Sequence, residues 1–272
     1  MDGAPVVLDR VPETLLWTLY HRAVEARRPD AVLHDPLAVE LVERIDFPFV
    51  ERFGAGEEFS QWQALRARCF DGAVRRFLAV SPEGTVVALG EGLETQAWRV
   101  GNGRAEWVTV DLPEVVALRD RLLPRDPRRR TIGASVLDER WLQEVGDPSA
   151  VLFTAQGLLM YLPGGEVHRL LSRMAARFVG ASLVFDAVPA WLVRRSRAHP
   201  LRTSSGYEPP AWSWGLDSAE ERRLRTIPGV AALRPLRLPR GRGAVHGLLL
   251  PLASRAPVLR RALLSVWSMR FS

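Results

Sequence analysis

Two glycines one residue apart, with an aspartate nineteen positions later, form the part of this 272-residue chain best suited to chemistry. Thr85-Val86-Val87-Ala88-Leu89 is β-branched and apolar throughout, the pattern of a strand buried on both faces. Gly90-Glu91-Gly92 follows at once and leads into a helix-compatible stretch. A strand that becomes a helix through Gly-x-Gly lets the backbone approach a ligand where a Cβ would collide. A second strand over 106–110 ends in Asp111, at the distance where a carboxylate takes the hydroxyls of a nucleotide ribose. A dinucleotide fingerprint needs a third glycine three residues after the second, and that position is Thr95. The loop therefore suits a nucleoside without a pyrophosphate, of which S-adenosylmethionine is the common one. A nicotinamide dinucleotide is the poorer match.

Groups that could act on an acceptor are less clearly marked. Methyl transfer from a sulfonium is a displacement whose rate comes mostly from holding acceptor and methyl within about 3 Å. A carboxylate acceptor needs no base, whereas a phenol can use one. His21, His34, His168, His199 and His246 are scattered without metal-ligand spacing, so no metal is expected. Tyr161, His199 and Trp214 are the acceptor-side candidates. For Tyr161 core packing is the competing reading, and for His199 simple exposure. Trp191, Trp212 and Trp214, with Tyr207, offer a wall for a hydrophobic substrate or else only pack their stretch onto the protein.

Strands at 85–89, 106–110, 130–134, 150–155 and 181–186 alternate with helices at 93–100, 113–123, 138–145 and 164–178. That alternation implies a parallel sheet with helices on both faces. Gly90, Asp111, Ser135, Gln156 and Asp186 all fall at carboxyl ends of strands, where open sheets bind ligands. Upstream, helices are expected over 14–26, from Asp35-Pro36, and over about 59–80, with loops at 47–49 and 54–56. Downstream, 189–217 reads as a loop or short-helix insertion and 219–226 as a helix. Strands are expected at 231–237 and 244–250, and an apolar helix or strand at 258–269.

Composition narrows the class. The net charge of +6 comes entirely from arginine, since the chain has no lysine to serve a phosphate loop. The arginines are scattered, and Arg128-Arg129-Arg130 reads as a solvated loop, so no nucleic-acid partner is expected. A single cysteine, Cys69, excludes an internal disulfide and a cysteine-rich metal centre. No apolar run reaches the ~18 residues of a membrane span, and Met1-Asp2-Gly3-Ala4-Pro5 does not open like a signal peptide. A cytoplasmic protein with a small-molecule partner and no membrane partner is the expectation.

Six ordered motifs resemble a known family. They are Glu13-Thr14-Leu15-Leu16, Asp35-Pro36, Arg66-Ala67-Arg68-Cys69-Phe70-Asp71, the stretch Leu89 to Thr95 with Val110-Asp111-Leu112-Pro113, Ser135-Val136-Leu137-Asp138, and Gln156-Gly157-Leu158-Leu159-Met160-Tyr161-Leu162. Over about residues 12–220 the chain resembles the leucine carboxyl methyltransferases, in particular their bacterial tetracenomycin-type polyketide O-methyltransferase branch. The resemblance implies an α/β, Rossmann-like class I methyltransferase fold: a seven-stranded sheet with one antiparallel strand, and N-terminal helices closing over S-adenosylmethionine.

By position, the resemblance makes Arg66 the partner of the cofactor carboxylate, with Arg22 a second candidate. It places Gly90, Glu91 and Gly92 in the cofactor loop, Asp111 with Leu112 at the ribose, Ser135 and Val136 at the adenine, and Gln156 beside them. Asp138 is equally well explained as a helix N-cap. Three positions depart from the family pattern. Glu91 replaces a small residue and is expected to bring negative charge to the site, Gln156 replaces a glutamate, and Glu94 an aspartate. The expectation is an O-methyltransferase for a carboxylate or phenolic hydroxyl of a small polyketide- or peptide-like product. A fold that binds without transferring methyl is the alternative that Glu91 and Gln156 raise. A single domain is expected, with a helical cap at 1–83, a cofactor core at 84–188, a substrate insertion at 189–228, and last strands and tail at 229–272.

Overall fold

The computed structural model describes residues 12–256, 259 and 261–272; Met1–Pro5 and Val258, which carried expectations above, lie outside them. Helices α1 (Thr14–Ala26), α2 (Pro36–Arg44), α3 (Phe49–Phe53) and α4 (Glu57–Val80) come first. The alternating part follows as β1 (Thr85–Leu89), α5 (Gln96–Val100), β2 (Glu106–Asp111), α6 (Pro113–Leu122), β3 (Arg129–Gly133), α7 (Arg140–Glu144), β4 (Val151–Ala155), α8 (Gly164–Arg177) and β5 (Ser182–Ala187). Then come α9 (Ala190–Ala198), α10 (Ser218–Arg225), β6 (Val230–Leu236), a π-turn over Val245–Leu249 running into α11 (Leu250–Ala253), and β7 (Ser265–Phe271).

The seven strands lie in the order β3-β2-β1-β4-β5-β7-β6. β1 pairs in parallel with β2 and β4, while β7 runs antiparallel to both β5 and β6 and is the one reversed strand. Every residue of β1 is buried. Its alternate side chains serve two cores, as a period of two requires. Val87 and Leu89 pack with Phe153, Leu171 and Trp267 on one face, and Val86 and Ala88 with Phe70 and Val74 of α4 on the other. Chain order reverses between β1 and β4, so the crevice at their carboxyl ends is where the sheet opens for a ligand.

Several elements differ from expectation. Residues 244–250 form no strand: Leu248-Leu249-Leu250 carries no β-branching and takes a helical turn, whereas Ser265–Phe271, rich in aromatic residues, pairs with β5 instead. The helix expected from 93 begins only at Gln96, because Gly90 and Gly92 hold positive φ and the chain needs a further turn before Thr95. Phe49 opens a short helix where a loop was expected. Arg128 is exposed in a turn, as the solvated-loop reading expects, but Arg129 and Arg130 start β3 and the Arg129 guanidinium lies 4.1 Å over the Trp98 ring.

Candidate active site

The carboxyl ends of β1, β2, β4 and β5 open into a cavity of about 520 Å³. Arg66, Gly90, Glu91, Gly92 and Asp111 line it, together with Leu112, Ser135, Val136, Gln156 and Tyr161. Gly90 and Gly92 adopt φ of +58° and +55°, the left-handed region that an L side chain resists. A Cβ on Gly90 would stand 2.7 Å from Leu158 Cδ1, and one on Gly92 would stand 3.1 Å from Leu15 Cβ. The loop backbone therefore passes closer to its surroundings than any other residue allows.

Asp111 ties the loop to β2. Its carboxylate accepts from the Gly92 N–H at 2.7 Å and the Leu112 N–H at 2.8 Å. Burial pushes its pKa up, and these two N–H donors pull against that rise. Each oxygen spends one acceptor position on the backbone and keeps another.

Glu91 does not place its charge in the cavity. Its carboxylate turns toward β2 and α6, accepting from Thr109 Oγ1 at 2.5 Å, Trp107 Nε1 at 3.2 Å and the Arg119 guanidinium at 2.7 Å. Arg119 in turn donates to the carbonyl oxygens of Gly92 and Glu94. Burial raises the Glu91 pKa, opposed by the Arg119 charge and the Thr109 hydroxyl. The pair is a brace behind the loop.

A second buried brace joins the helical cap to the loop. Asp35, the N-cap of α2, accepts from Thr95 Oγ1 at 2.6 Å, from Arg22 Nε at 3.2 Å and from Arg99 at 2.8 Å. Thr95 is fully buried in this contact, which accounts for its presence where a dinucleotide fold has glycine. Arg22 also meets Glu94 at 3.3 Å and donates to the Leu93 carbonyl at 2.8 Å, so its fork is committed to protein rather than to a ligand carboxylate. Glu94 pairs with Arg99 at 2.7 Å and accepts from Gln156 Nε2 at 3.1 Å. Burial works against its ionised form, but the Arg22 and Arg99 charges outweigh it and lower its pKa to about 2.

Arg66, on α4, donates to Asp186 Oδ2 at 2.9 Å, and Asp186 Oδ1 accepts from the Gly157 N–H at 2.7 Å. The Arg66 Nε and the Gln156 Oε1 are buried without a partner among the described residues. Unpaired buried polar atoms are costly, and these two border the same cavity.

The acceptor-side expectations divide. Tyr161 lines the cavity, and burial raises its phenol pKa despite the nearby Trp212 indole. Trp212 lines it as well, with Trp17, Phe59 and Trp62 from the helical cap. Trp214 does not: its indole is buried against Phe185 and donates to Glu220 at 2.7 Å, which makes it core. His199 is exposed at the end of α9 and borders no part of the cavity. Tyr207 packs on Phe53 and Arg52, and Trp191 stands exposed, donating to the Ala262 carbonyl. Asp138 lies outside too: it accepts from the Arg140 N–H but stands one residue before the N-cap of α7, Glu139, so it is not the helix N-cap that was expected.

Sequence reasoning gave no site role to Trp17, Phe59, Trp62 or Gln63, because helical periodicity marks them only as one face of α1 or α4. It gave no structural role to Asp71 or Arg99, and to Asp35 only a place at the start of a helix. Arg99 Nε meets Asp71 at 3.0 Å, a contact between residues 28 positions apart that no local pattern encodes.

Residues 16–175 match the leucine carboxyl methyltransferase family. The chain is 36% identical over 229 residues to the tetracenomycin polyketide synthesis O-methyltransferase TcmP of Streptomyces glaucescens, covering 84% of this chain and 83% of that one. It is 30% identical to the S-adenosyl-L-methionine-dependent methyltransferase dpfgK of Gibberella zeae, over 85% of this chain and 83% of the other. In fold it is similar to a Thermobifida fusca protein described as a methyltransferase, with a TM-score of 0.56 at 16% identity over 94% of both chains.

Proposed function

The chain belongs to the leucine carboxyl methyltransferase family, and from that premise we propose that its cavity holds S-adenosylmethionine against a small carboxylic acid. It is an S-adenosylmethionine-dependent methyltransferase. The residues present fit that cofactor: the left-handed Gly90–Gly92 loop on the cavity wall, Asp111 with acceptor positions to spare, and the unpaired buried Nε of Arg66. When bound, the cofactor supplies an electrophilic methyl on a sulfonium.

Arg66 would hold the methionine carboxylate, steadied by Asp186, and Asp111 the two ribose hydroxyls. Leu112, Ser135 and Val136 would border the adenine, and Gln156 would close the space beside them. Trp17, Phe59, Trp62 and Trp212 would enclose an apolar acceptor and exclude water from it.

One observation favours a carboxylate over a phenol. Among the described lining residues there is no histidine, and Glu94, Asp111 and Asp186 are already bonded to protein donors. Tyr161 is a phenol, and its burial disfavours ionisation further. An acceptor that arrives ionised needs no base, and its rate then comes from alignment. A phenolic acceptor of a polyketide, the other reading, would have to ionise without help. The binding-only alternative loses its motive, since Glu91 and Gln156 serve the braces and leave the cavity free of extra charge.

Calorimetric titration with S-adenosylmethionine and S-adenosylhomocysteine tests the cofactor assignment. Micromolar binding is expected, lost in Asp111→Ala and weakened about tenfold or more in Arg66→Lys, which keeps the charge and loses the fork. No binding at millimolar ligand would overturn it. A panel of aromatic acids and matched phenols tests the acceptor, with phenols as the only substrates refuting the carboxylate.

A further inference from the structure

The connection between β6 and β7 turns its apolar side outward. Val245, Leu248, Leu249 and Leu252 follow the i, i+3, i+4, i+7 spacing of one helical face, and each is about half exposed. A helix packed on a soluble core shows the reverse, with that stripe inward. The outward pose is built in. At its base Arg242 reaches across to Glu25 and Asp30, the Arg242 N–H donates to Gln61 of α4, and His246 pairs with Gln61 at 3.1 Å.

The chain segment that carries the stripe has charge of one sign. From Arg222 to Ser272 the sequence holds eleven arginines and no aspartate or glutamate, while residues 1–221 hold 26 arginines against 31 acids. Some of the eleven are spent internally, as Arg225 and Arg261 are on Glu221. Arg237, Arg240 and Arg255 are exposed, and none has an acidic partner among the described residues. An apolar stripe flanked by unpaired arginines matches an anionic lipid surface, where the leucines enter the acyl boundary and the guanidinium groups meet phosphate. A second copy fits poorly, because a two-fold contact would press the arginines of one segment against those of the other, and the segment itself carries no acid to answer them. No helix among the described residues is long and apolar enough to cross a membrane, which is consistent with a surface-lying element.

We propose that residues 237–256 dock the protein on an anionic bilayer surface. The same connection runs into Leu264 and Ser265, which line the cavity, so docking would bring a lipid phase beside the acceptor side of the enzyme.

Vesicle flotation of the full chain tests this. Binding is expected to vesicles of phosphatidylcholine with phosphatidylglycerol, several-fold weaker to phosphatidylcholine alone, and reduced about fivefold or more in 0.5 M salt. Leu248→Ser/Leu249→Ser and Arg240→Gln/Arg255→Gln should each lose most of the binding while retaining circular dichroism and S-adenosylhomocysteine affinity. No flotation with anionic vesicles overturns the proposal, as does equal binding by either double variant. A concentration-dependent dimer abolished by the leucine pair would assign the stripe to self-association instead, and selective capture of an acidic protein without vesicle binding would assign it to that partner.

Discussion

Gln156 Nε2 donates to Glu94 Oε2 across 3.1 Å, joining the end of β4 to the turn that follows the glycine loop. Glu94 already answers Arg22 and Arg99, and the neutral amide adds a donor without adding charge. Gln156→Glu, which restores the family residue, would set two carboxylates against each other in a buried place. It is expected to cost about 1–3 kcal/mol at pH 7 and to raise the pKa of the pair, so that the loss narrows as the pH falls. Melting temperatures at pH 7 and pH 5 check this. An unchanged melting temperature at pH 7 would mean that the contact does not matter.

Glu91→Ala restores a small residue between the glycines, yet it strands the Arg119 guanidinium, whose side chain is only 5% exposed. Breaking a buried pair from one side costs about 3–5 kcal/mol. Because Arg119 also holds the Gly92 and Glu94 carbonyls, affinity for S-adenosylhomocysteine should fall with stability. Urea denaturation and calorimetry on the same preparation separate the two effects. Tighter ligand binding in Glu91→Ala would show instead that the native charge burdens the site.

Gly90→Ala should be damaging out of proportion to one methyl group. Its φ of +58° costs an L residue about 1–2 kcal/mol, and the new Cβ meets Leu158 Cδ1 at 2.7 Å. Adding Leu158→Ala relieves the collision and leaves the strain. Partial recovery of stability and ligand affinity in the double variant is the expected result, measured by thermal melting and titration.

Acid should unfold the protein in two stages. Burial against Trp17 and Phe59 lowers the His21 pKa to about 4 from its usual 6.5, so the folded state binds fewer protons than the unfolded chain. That stability is complete above about pH 6.5 and is lost as the pH falls toward 4. Glu94, lowered to about 2 from its usual 4.5, contributes stability above about pH 4.5 that is lost between there and pH 2. Unfolding free energies from pH 8 to pH 3 should therefore decline first through the histidine range. His21→Phe should flatten that first stage alone.

Much of the frame was legible in the chain because it rests on short-range patterns. The five residues of β1 are apolar, the glycines after them need a left-handed turn, and Asp111 ends the next strand. The Asp35-Pro36 start of α2, with proline in its first turn, was an equally local signal. The strand at 244–250 was misread for the same reason. Apolarity alone does not separate a strand from a helix, and pairing with β5 belonged to residues 265–271.

By itself, then, the sequence determined the α/β alternation, the open end of the sheet, the glycine loop and its aspartate, since each depends on neighbours in the chain. The tertiary structure alone decided where the long polar side chains point. Glu91 stands between two cavity-lining glycines and turns away to Arg119, Arg22 is spent on Asp35 and Glu94, and Trp214 is core while Trp212 faces the cavity. A flexible side chain takes the direction in which its charge or N–H finds a partner, and those partners lie far away in sequence: 28 positions for Glu91, 72 for Arg22 and Glu94. Only folding brings them within reach.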